Sequence, residues 1–268
     1  MSRRRLDAEL VRRGLARSRT EAQEAVRGGL VSISGRPADK ASTLVSEAEP
    51  VTVTAAPRRF VSRGGEKLDA ALDRFGSDVS GCDCLDAGAS TGGFTDCLLR
   101  RGAARVAAVD VGYGQLAWSL RTDPRVHVLE RTNVRDLLPG DLPFAAEVLV
   151  ADLSFISLRL VLPALTRVAT PDAGSVLLVK PQFEAGRSEV DRGGVVRDPD
   201  VWHRVLVDVI DACGAEGWCP MGVMASPLTG PAGNVEFLLA ASRRGPERLD
   251  AADLEGAIEE GRAIGALR

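Results

Sequence analysis

From Gly65 onward the chain repeats one pattern: a short, continuously apolar run, a stretch long enough for a helix, then another apolar run. The runs cover residues 84–87, 105–110, 126–129, 148–152, 175–180 and 235–239. A strand with one face in water alternates polar and apolar residues, whereas these runs are apolar on both faces. They predict an α/β, Rossmann-like domain whose mainly parallel sheet is covered by helices on both sides. At 268 residues the chain has room for one or two domains. No apolar run approaches the ~18 residues that a membrane span needs, and no internal repeat is visible. Residues 249–264 read as one surface helix.

Residues 1–54 are organised differently and predict a small α+β domain. Leu6, Leu10 and Val11 share one helical face that stops near Gly14. Ser18-Arg19-Thr20-Glu21 has the form of a capping box, ahead of a helix that buries Ala22, Ala25 and Val26 and ends at Gly28-Gly29. Residues 30–34 alternate as a strand, Gly35-Arg36-Pro37 turns the chain, and residues 49–54 offer a closing strand. Residues 55–61 read as a linker, and 62–268 as the second domain. The overall charge is only -3, but residues 1–40 hold ten basic and five acidic side chains. A basic head on an acidic body points to an anionic polymer as the partner of the head.

Asp86-Ala87-Gly88-Ala89-Ser90-Thr91-Gly92-Gly93-Phe94-Thr95 follows the first apolar run and opens a helix. Its glycines permit a tight turn and close approach of a ligand to the backbone. A dinucleotide loop needs a second glycine against the pyrophosphate, and here that position is Ser90. Asp110 ends the next run, placed to accept hydrogen bonds from ribose hydroxyls. A Gly-rich loop and a strand-end acid without the diphosphate glycine suit S-adenosylmethionine, which has a ribose and an amino-acid tail but no phosphate. Asp86 would then face the cofactor's ammonium.

Of the 34 basic residues only Lys40, Lys67 and Lys180 are lysines. Lysine can surrender its proton when its surroundings demand it, and arginine cannot. Lys180 closes an apolar run, so burial lowers its pKa unless Asp152 or Glu236 pairs with it. Asp152 also closes a run, Glu236 begins the last one, and Lys67 lies on the helix entering the domain. Two lysines and two carboxylates balance in a dry cleft at the strand ends, where parallel sheets bind ligands.

Several blocks, in order, carry a resemblance. They are residues 13–19 and 29–35 of the head, Phe60-Val61-Ser62-Arg63-Gly64-Gly65-Glu66-Lys67-Leu68, the 86–95 loop, and residues 110–116, 151–157, 179–184 and 230–237. Together the chain closely resembles the TlyA (haemolysin A) family of ribosomal RNA 2'-O-methyltransferases, with an αL-type RNA-binding head and an FtsJ-type catalytic domain. The resemblance covers nearly the whole chain. It implies methyl transfer from S-adenosylmethionine to the ribose of cytidines in 16S or 23S rRNA within ribosomal subunits, with Lys67, Asp152, Lys180 and Glu236 as the catalytic tetrad. It implies that Asp86, Gly88, Ser90, Thr91, Gly92, Gly93, Phe94 and Asp110 hold the cofactor. The implied RNA contacts are Arg3, Arg4, Arg5, Arg13, Arg17, Arg19 and Lys40. Phe60 stands where the family often has Trp or Tyr.

Rival readings rest on less. A pseudouridine synthase can carry the same head, but Arg248-Leu249-Asp250 is its only catalytic context here and leaves the Gly-rich loop idle. A base-amino methyltransferase has no evident need for Lys180. A cytosine-carbon methyltransferase needs a thiolate, and Cys219-Pro220 reads as surface loop. A membrane-active haemolysin needs a span or a basic amphipathic helix. His127 and His203 lack metal-ligand spacing, so no metal is expected. Five cysteines without a paired framework favour a reducing compartment, the cytoplasm.

Overall fold

The computed structural model describes residues 3–16, 18–54, 59–245 and 249–266, apart from the side chains of Glu21 and Glu24. Arg17 as an RNA contact, the Glu21 half of the capping box, residues 55–58 of the linker and Arg248 lie outside the described residues. The chain divides into two compact units, Met1–Arg58 and Arg59–Arg268.

In the first unit β1 (Arg3–Arg5) runs directly into α1 (Leu6–Arg12), followed by α2 (Arg19–Arg27), β2 (Val31–Ile33), β3 (Arg36–Pro37), β4 (Leu44–Ser46) and β5 (Val51–Val53). β1 pairs antiparallel with β4, and a second sheet has the order β3-β2-β5. Leu6, Leu10, Ala22, Val26, Val31, Val45 and Val51 form the core. The turn expected at 35–37 sits one residue earlier. Ser34 and Gly35 have φ of 48° and 79°, as a two-residue hairpin turn requires, and Arg36–Pro37 is the returning edge strand. Pro37 is tolerated there because an edge strand can spare an amide donor.

α1 also buries two carboxylates. Asp7 is fully buried and accepts bonds from Arg5 (3.1 and 3.0 Å), Arg19 (3.0 Å), Gln23 (3.0 Å) and the Ala8 amide (2.8 Å). Glu9 accepts from Arg12 and Arg13. Arg13 reaches on to the carbonyls of Ser46, Glu47 and Glu49, fastening α1 to the β4–β5 turn.

The second unit contains α3 (Gly64–Phe75), β6 (Asp83–Ala87), α4 (Gly93–Arg100), β7 (Arg105–Val109), α5 (Trp118–Arg121), β8 (Val126–Leu129), β9 (Ala146–Ala151), α6 (Leu162–Val168), β10 (Ala169–Val179), α7 (Pro181–Glu184), α8 (Pro199–Ala215), β11 (Cys219–Ala225), β12 (Phe237–Ser242) and α9 (Ala251–Ala266). The sheet order is β11-β12-β10-β9-β6-β7-β8. β10, β9, β6, β7 and β8 are mutually parallel, and β12 runs antiparallel to both β10 and β11.

Both faces are covered. Leu85, Ala107, Leu149, Leu177 and Leu239 point into one core with α6, α8 and α9. Their strand neighbours Cys84, Val106, Val150, Val176 and Leu238 point into another with α3 and α4. That period of two, apolar on each side, explains why the runs in the sequence do not alternate.

Three expectations need correction. Phe60 and Val61 are not linker: Phe60 is buried in the α3–α4 core, and the Val61 amide donates to Asp96 at 2.9 Å. Cys219-Pro220 is not a loop but the start of edge strand β11, where a register shift falls between Pro220 and Gly222. The last helix is amphipathic, burying Leu254, Ala257 and Ile258 in the first core.

The Asp7 network carries a pH prediction. The Arg5 guanidinium, with help from Gln23, Arg19 and the Ala8 amide, holds the Asp7 carboxyl well below the usual range against the opposing effect of burial. A depressed folded-state pKa stabilises fully above the unfolded value of ~3.9 and loses its effect as pH falls below it. Asp7→Asn should therefore lower hydrogen-exchange protection of residues 6–53 at pH 7. The gap from wild type should narrow as pH falls below about 4, where the unfolded-state carboxylate takes up a proton that the folded one still resists. A gap independent of pH would show that the ion pairs contribute nothing.

Candidate active site

The functional edge of the sheet follows from strand direction. β9 and β10 are parallel neighbours with Ala151 opposite Leu177, so the residues just beyond them, Asp152 and Lys180, leave the sheet side by side. Lys180 Nζ lies 2.5 Å from Asp152 Oδ1 and donates to Ser154 Oγ at 3.0 Å. Of the two acids considered for it, Lys180 pairs with Asp152.

Glu236 precedes β12, which on an all-parallel sheet would place it at the wrong end. Because β12 is antiparallel, with Phe237 opposite Val179, its first residues return to the edge that carries Lys180. Glu236 Oε2 there meets Lys67 Nζ at 2.5 Å, and both side chains are buried. α3 supplies Lys67. Its N-terminal Gly64 lies so near Asp152 that an added Cβ would sit 3.7 Å from Oδ2. The four residues thus meet as two lysine–carboxylate pairs, each lysine with its own acid. Burying such charges is tolerable only with this pairing.

The Gly-rich loop lies beside them. Asp86, on β6, the middle one of the five parallel strands, is fully buried; its Oδ2 accepts from Thr95 Oγ1 at 2.6 Å, and its Oδ1 has no partner among the described residues. Burial pushes its carboxyl up to about 7, against the Thr95 hydrogen bond and with Asp152 and Asp110 adding repulsion. Gly88 has φ of 87°, and a Cβ there would come 2.6 Å from the Asp152 carbonyl oxygen. Only glycine lets the loop approach β9 so closely. Asp110 accepts from the amides of Ser90 (2.8 Å) and Gly112 (2.6 Å). A carboxylate has about four acceptor positions, so two remain.

A cavity of about 470 Å³ opens here, lined among others by Gly88, Ser90, Asp110, Asn133, Asp152 and Phe155. That is within the usual size of a small-molecule site. A larger cavity of about 840 Å³ opens at the opposite edge, between Arg74, Glu147, Asp172 and Met221, and none of the tetrad lines it.

The expected cofactor residues separate by position. Gly88, Ser90 and Asp110 line the cavity, Asp86 lies beneath it, and Thr91 is exposed. Gly92 packs against Leu116 and Leu120, Gly93 against Ser62 and Gly65, and Phe94 belongs to the core, so these three shape the loop from behind. Sequence reasoning missed Gln115, Asn133, Val134 and Phe155, which also line the cavity. Asn133 lay just beyond the 126–129 run, where its place at a strand's carboxyl end was the available signal.

In the first unit Arg3, Arg4 and Lys40 are exposed. Arg5 and Arg19 are about half exposed while gripping Asp7. Arg13 is engaged within the unit and is no longer available as an outward phosphate contact.

A mainly parallel sheet with one reversed strand, a Gly-rich loop after β6 and an acid after β7 define a Rossmann-like methyltransferase, here with a small α+β unit ahead of it. The FtsJ-like methyltransferase family matches residues 60–243, and the S4 domain matches residues 4–51. The chain belongs to the TlyA family of FtsJ-like methyltransferases. It is 55% identical over 95% of both chains to the 16S/23S rRNA (cytidine-2'-O)-methyltransferase TlyA of Mycobacterium tuberculosis. It is 37% identical to Hemolysin A of Brachyspira hyodysenteriae, over 87% of this chain and 98% of that one. A solved structure bearing a hemolysin designation, from Streptococcus thermophilus, superposes with a TM-score of 0.78 at 36% identity, covering 100% of this chain and 98% of the other.

Gly88→Ala tests the close approach. A left-handed non-glycine residue costs about 1–3 kcal/mol, and its Cβ would push on the Asp152 carbonyl. The variant should melt several degrees lower and lose most of its methyl-transfer activity. Wild-type activity would show that the loop has slack.

Proposed function

We propose that this chain transfers a methyl group from S-adenosylmethionine to the ribose 2'-hydroxyl of cytidines in 16S and 23S rRNA. The observation that carries this is the pair of lysine–carboxylate contacts, Lys180 with Asp152 and Lys67 with Glu236, at the sheet edge beside the cavity. The substrate is inferred from the name of the mycobacterial relative at 55% identity. The first unit, matching an S4 domain, supports an RNA partner.

The residues present fit the cofactor: Gly88 and Ser90 present the loop to the cavity, Asp110 has acceptor positions for its ribose hydroxyls, and the orphaned Asp86 oxygen offers negative charge to its cationic part. When bound, it supplies an electrophilic methyl on a sulfonium. The attacking hydroxyl is a poor nucleophile and must lose its proton during displacement. As an ammonium Lys180 is placed to stabilise the alkoxide as it forms, and only in its neutral form, once it has released its own proton, can it take that of the hydroxyl. Asp152 and Ser154 fix the Lys180 ammonium from two sides. Lys67, held by Glu236, offers a second cation for the ribose or its phosphate. Positioning of this kind contributes much of the rate in a displacement.

The nucleotide's base also needs a resting place once turned out of its stack. Phe155 is 91% exposed with φ of 65°, and its ring lies 5.2 Å from that of Phe183. Exposed aromatic faces of this kind are the usual seats for unstacked RNA bases. The exposed Arg3, Arg4 and Lys40, with the outward parts of Arg5 and Arg19, supply salt-dependent phosphate affinity. No helix among the described residues is long and apolar enough to cross a membrane, so the haemolysin names of two relatives find no support there.

Mass mapping of 2'-O-methylcytidine on rRNA, from cells with and without this chain, tests the reading. Loss of methylation at specific cytidines is expected, and an unchanged map overturns it. A second test addresses Lys180. Lys180→Ala removes charge and base, while Lys180→Arg keeps a charge that cannot surrender its proton. Both should lose roughly 10²–10⁴-fold in single-turnover rate with cofactor affinity little changed. A near-normal Lys180→Arg rate would mean that charge alone suffices and would move the base to Asp152.

A further inference from the structure

Two segments must keep a fixed spacing for the Lys180–Asp152 contact to exist. One is the stretch after β9, carrying Asp152, Ser154 and Phe155; the other follows β10 and carries Lys180 and Phe183. Neither segment is strand beyond Ala151 and Val179, so the ladder does not hold them together. Besides the contacts of Lys180 itself and the Phe155–Phe183 ring contact, a buried carboxylate joins them. Glu184 ends α7, one helical turn after Lys180, and is buried. Its Oε2 accepts from Ser157 Oγ at 2.5 Å and its Oε1 from the Leu158 amide at 2.6 Å. Arg159 approaches the same carboxylate at 3.5 Å and donates to the Glu184 carbonyl at 3.2 Å.

We propose that Glu184 is a positioning residue for methyl transfer, which sets the distance between Lys180 and Asp152 by pinning the segment after β9 to the segment after β10. The proposal rests on the functional reading above. A buried carboxylate with two hydrogen bonds is a stiff link, because losing either leaves it unsatisfied in a dry place. Its partners Ser157 and Leu158 follow Phe155, whose left-handed backbone shows that this segment is held rather than relaxed. Glu184 is absent from the cavity lining, so it acts through Asp152, Ser154 and Lys180 and not on the cofactor.

The test compares Glu184→Ala and Glu184→Gln with wild type in the full chain, on ribosomal subunits, at saturating cofactor and at temperatures where each variant is folded. Glu184→Ala frees the two segments, and a displacement of about 1 Å at reacting groups costs roughly 10²-fold. The single-turnover rate should fall by about that factor while half-saturating cofactor and RNA concentrations stay within threefold. Glu184→Gln keeps an acceptor for Leu158 and can donate to Ser157, so it should recover most of the rate. Should Glu184→Ala fail to fold, Ser157→Ala removes only one of the two bonds and should lose several-fold in rate with unchanged affinities. A wild-type rate in the alanine variant, or a rate loss that tracks affinity, overturns the proposal, as does a wild-type rate in Ser157→Ala where that variant stands in. A wild-type enzyme that methylates no rRNA refutes the functional reading instead, so the two failures are distinct.

Discussion

The contact between Lys180 and Asp152 makes demands on everything around it. Two opposite charges, one largely buried, tolerate the loss of water only if they face each other closely. Parallel strands achieve this cheaply, because their carboxyl ends emerge side by side and each can carry one charge. The cost is that both faces of those strands need cover. Helices α3, α4, α6, α8 and α9, and most of the apolar residues described in the second unit, follow from that need. The reversed strand β12 serves the same edge: only its antiparallel course returns Glu236 to Lys67.

Much of this was legible in the sequence because it rests on periodicity and on rare letters. The doubly apolar runs announced the sheet, and two of the three lysines lay in its site. What escaped was whatever depends on a partner distant in sequence. β11 was read as loop because Pro220 and Gly222 break a strand pattern, yet an edge tolerates both. The burial of Asp7 on α1 was invisible because Arg19 and Gln23, which complete its set of partners, come from α2. Asn133 and Phe155 carried weaker signals, a place beyond a strand's carboxyl end and a place in the 151–157 block; only the fold brings both to one cavity.

The basic head also reads differently once folded. Counting charges gave residues 1–40 a surplus of five. Part of that surplus is internal: Arg13 ties α1 to β4 and β5, and Arg12 is engaged with Glu9 and Glu47. The exposed cations of the first unit include Arg3, Arg4, Arg27, Arg36 and Lys40, with Arg5 and Arg19 shared between Asp7 and solvent. A phosphate-binding surface built on arginines already oriented by a buried acid loses less side-chain entropy on contact than one built on free arginines.

The same logic of pairing separates the two halves of the catalytic cleft. On the acceptor side every lysine has its carboxylate, so the described residues leave no net charge there. On the cavity side the balance fails. Asp86 has an oxygen with no partner and no cation near it, Asp110 is held only by neutral amides, and Asp152 repels Asp86. Asp86 and Asp110, with Lys180 already taken by Asp152, form a local excess of negative potential. A cleft of that sign favours a ligand with net positive charge. S-adenosylmethionine has that charge, and the product left after methyl transfer has lost its sulfonium. Such a cleft would favour a cationic donor over its uncharged product by electrostatics, with Asp86, pushed up to about 7 by burial, poised near neutral pH.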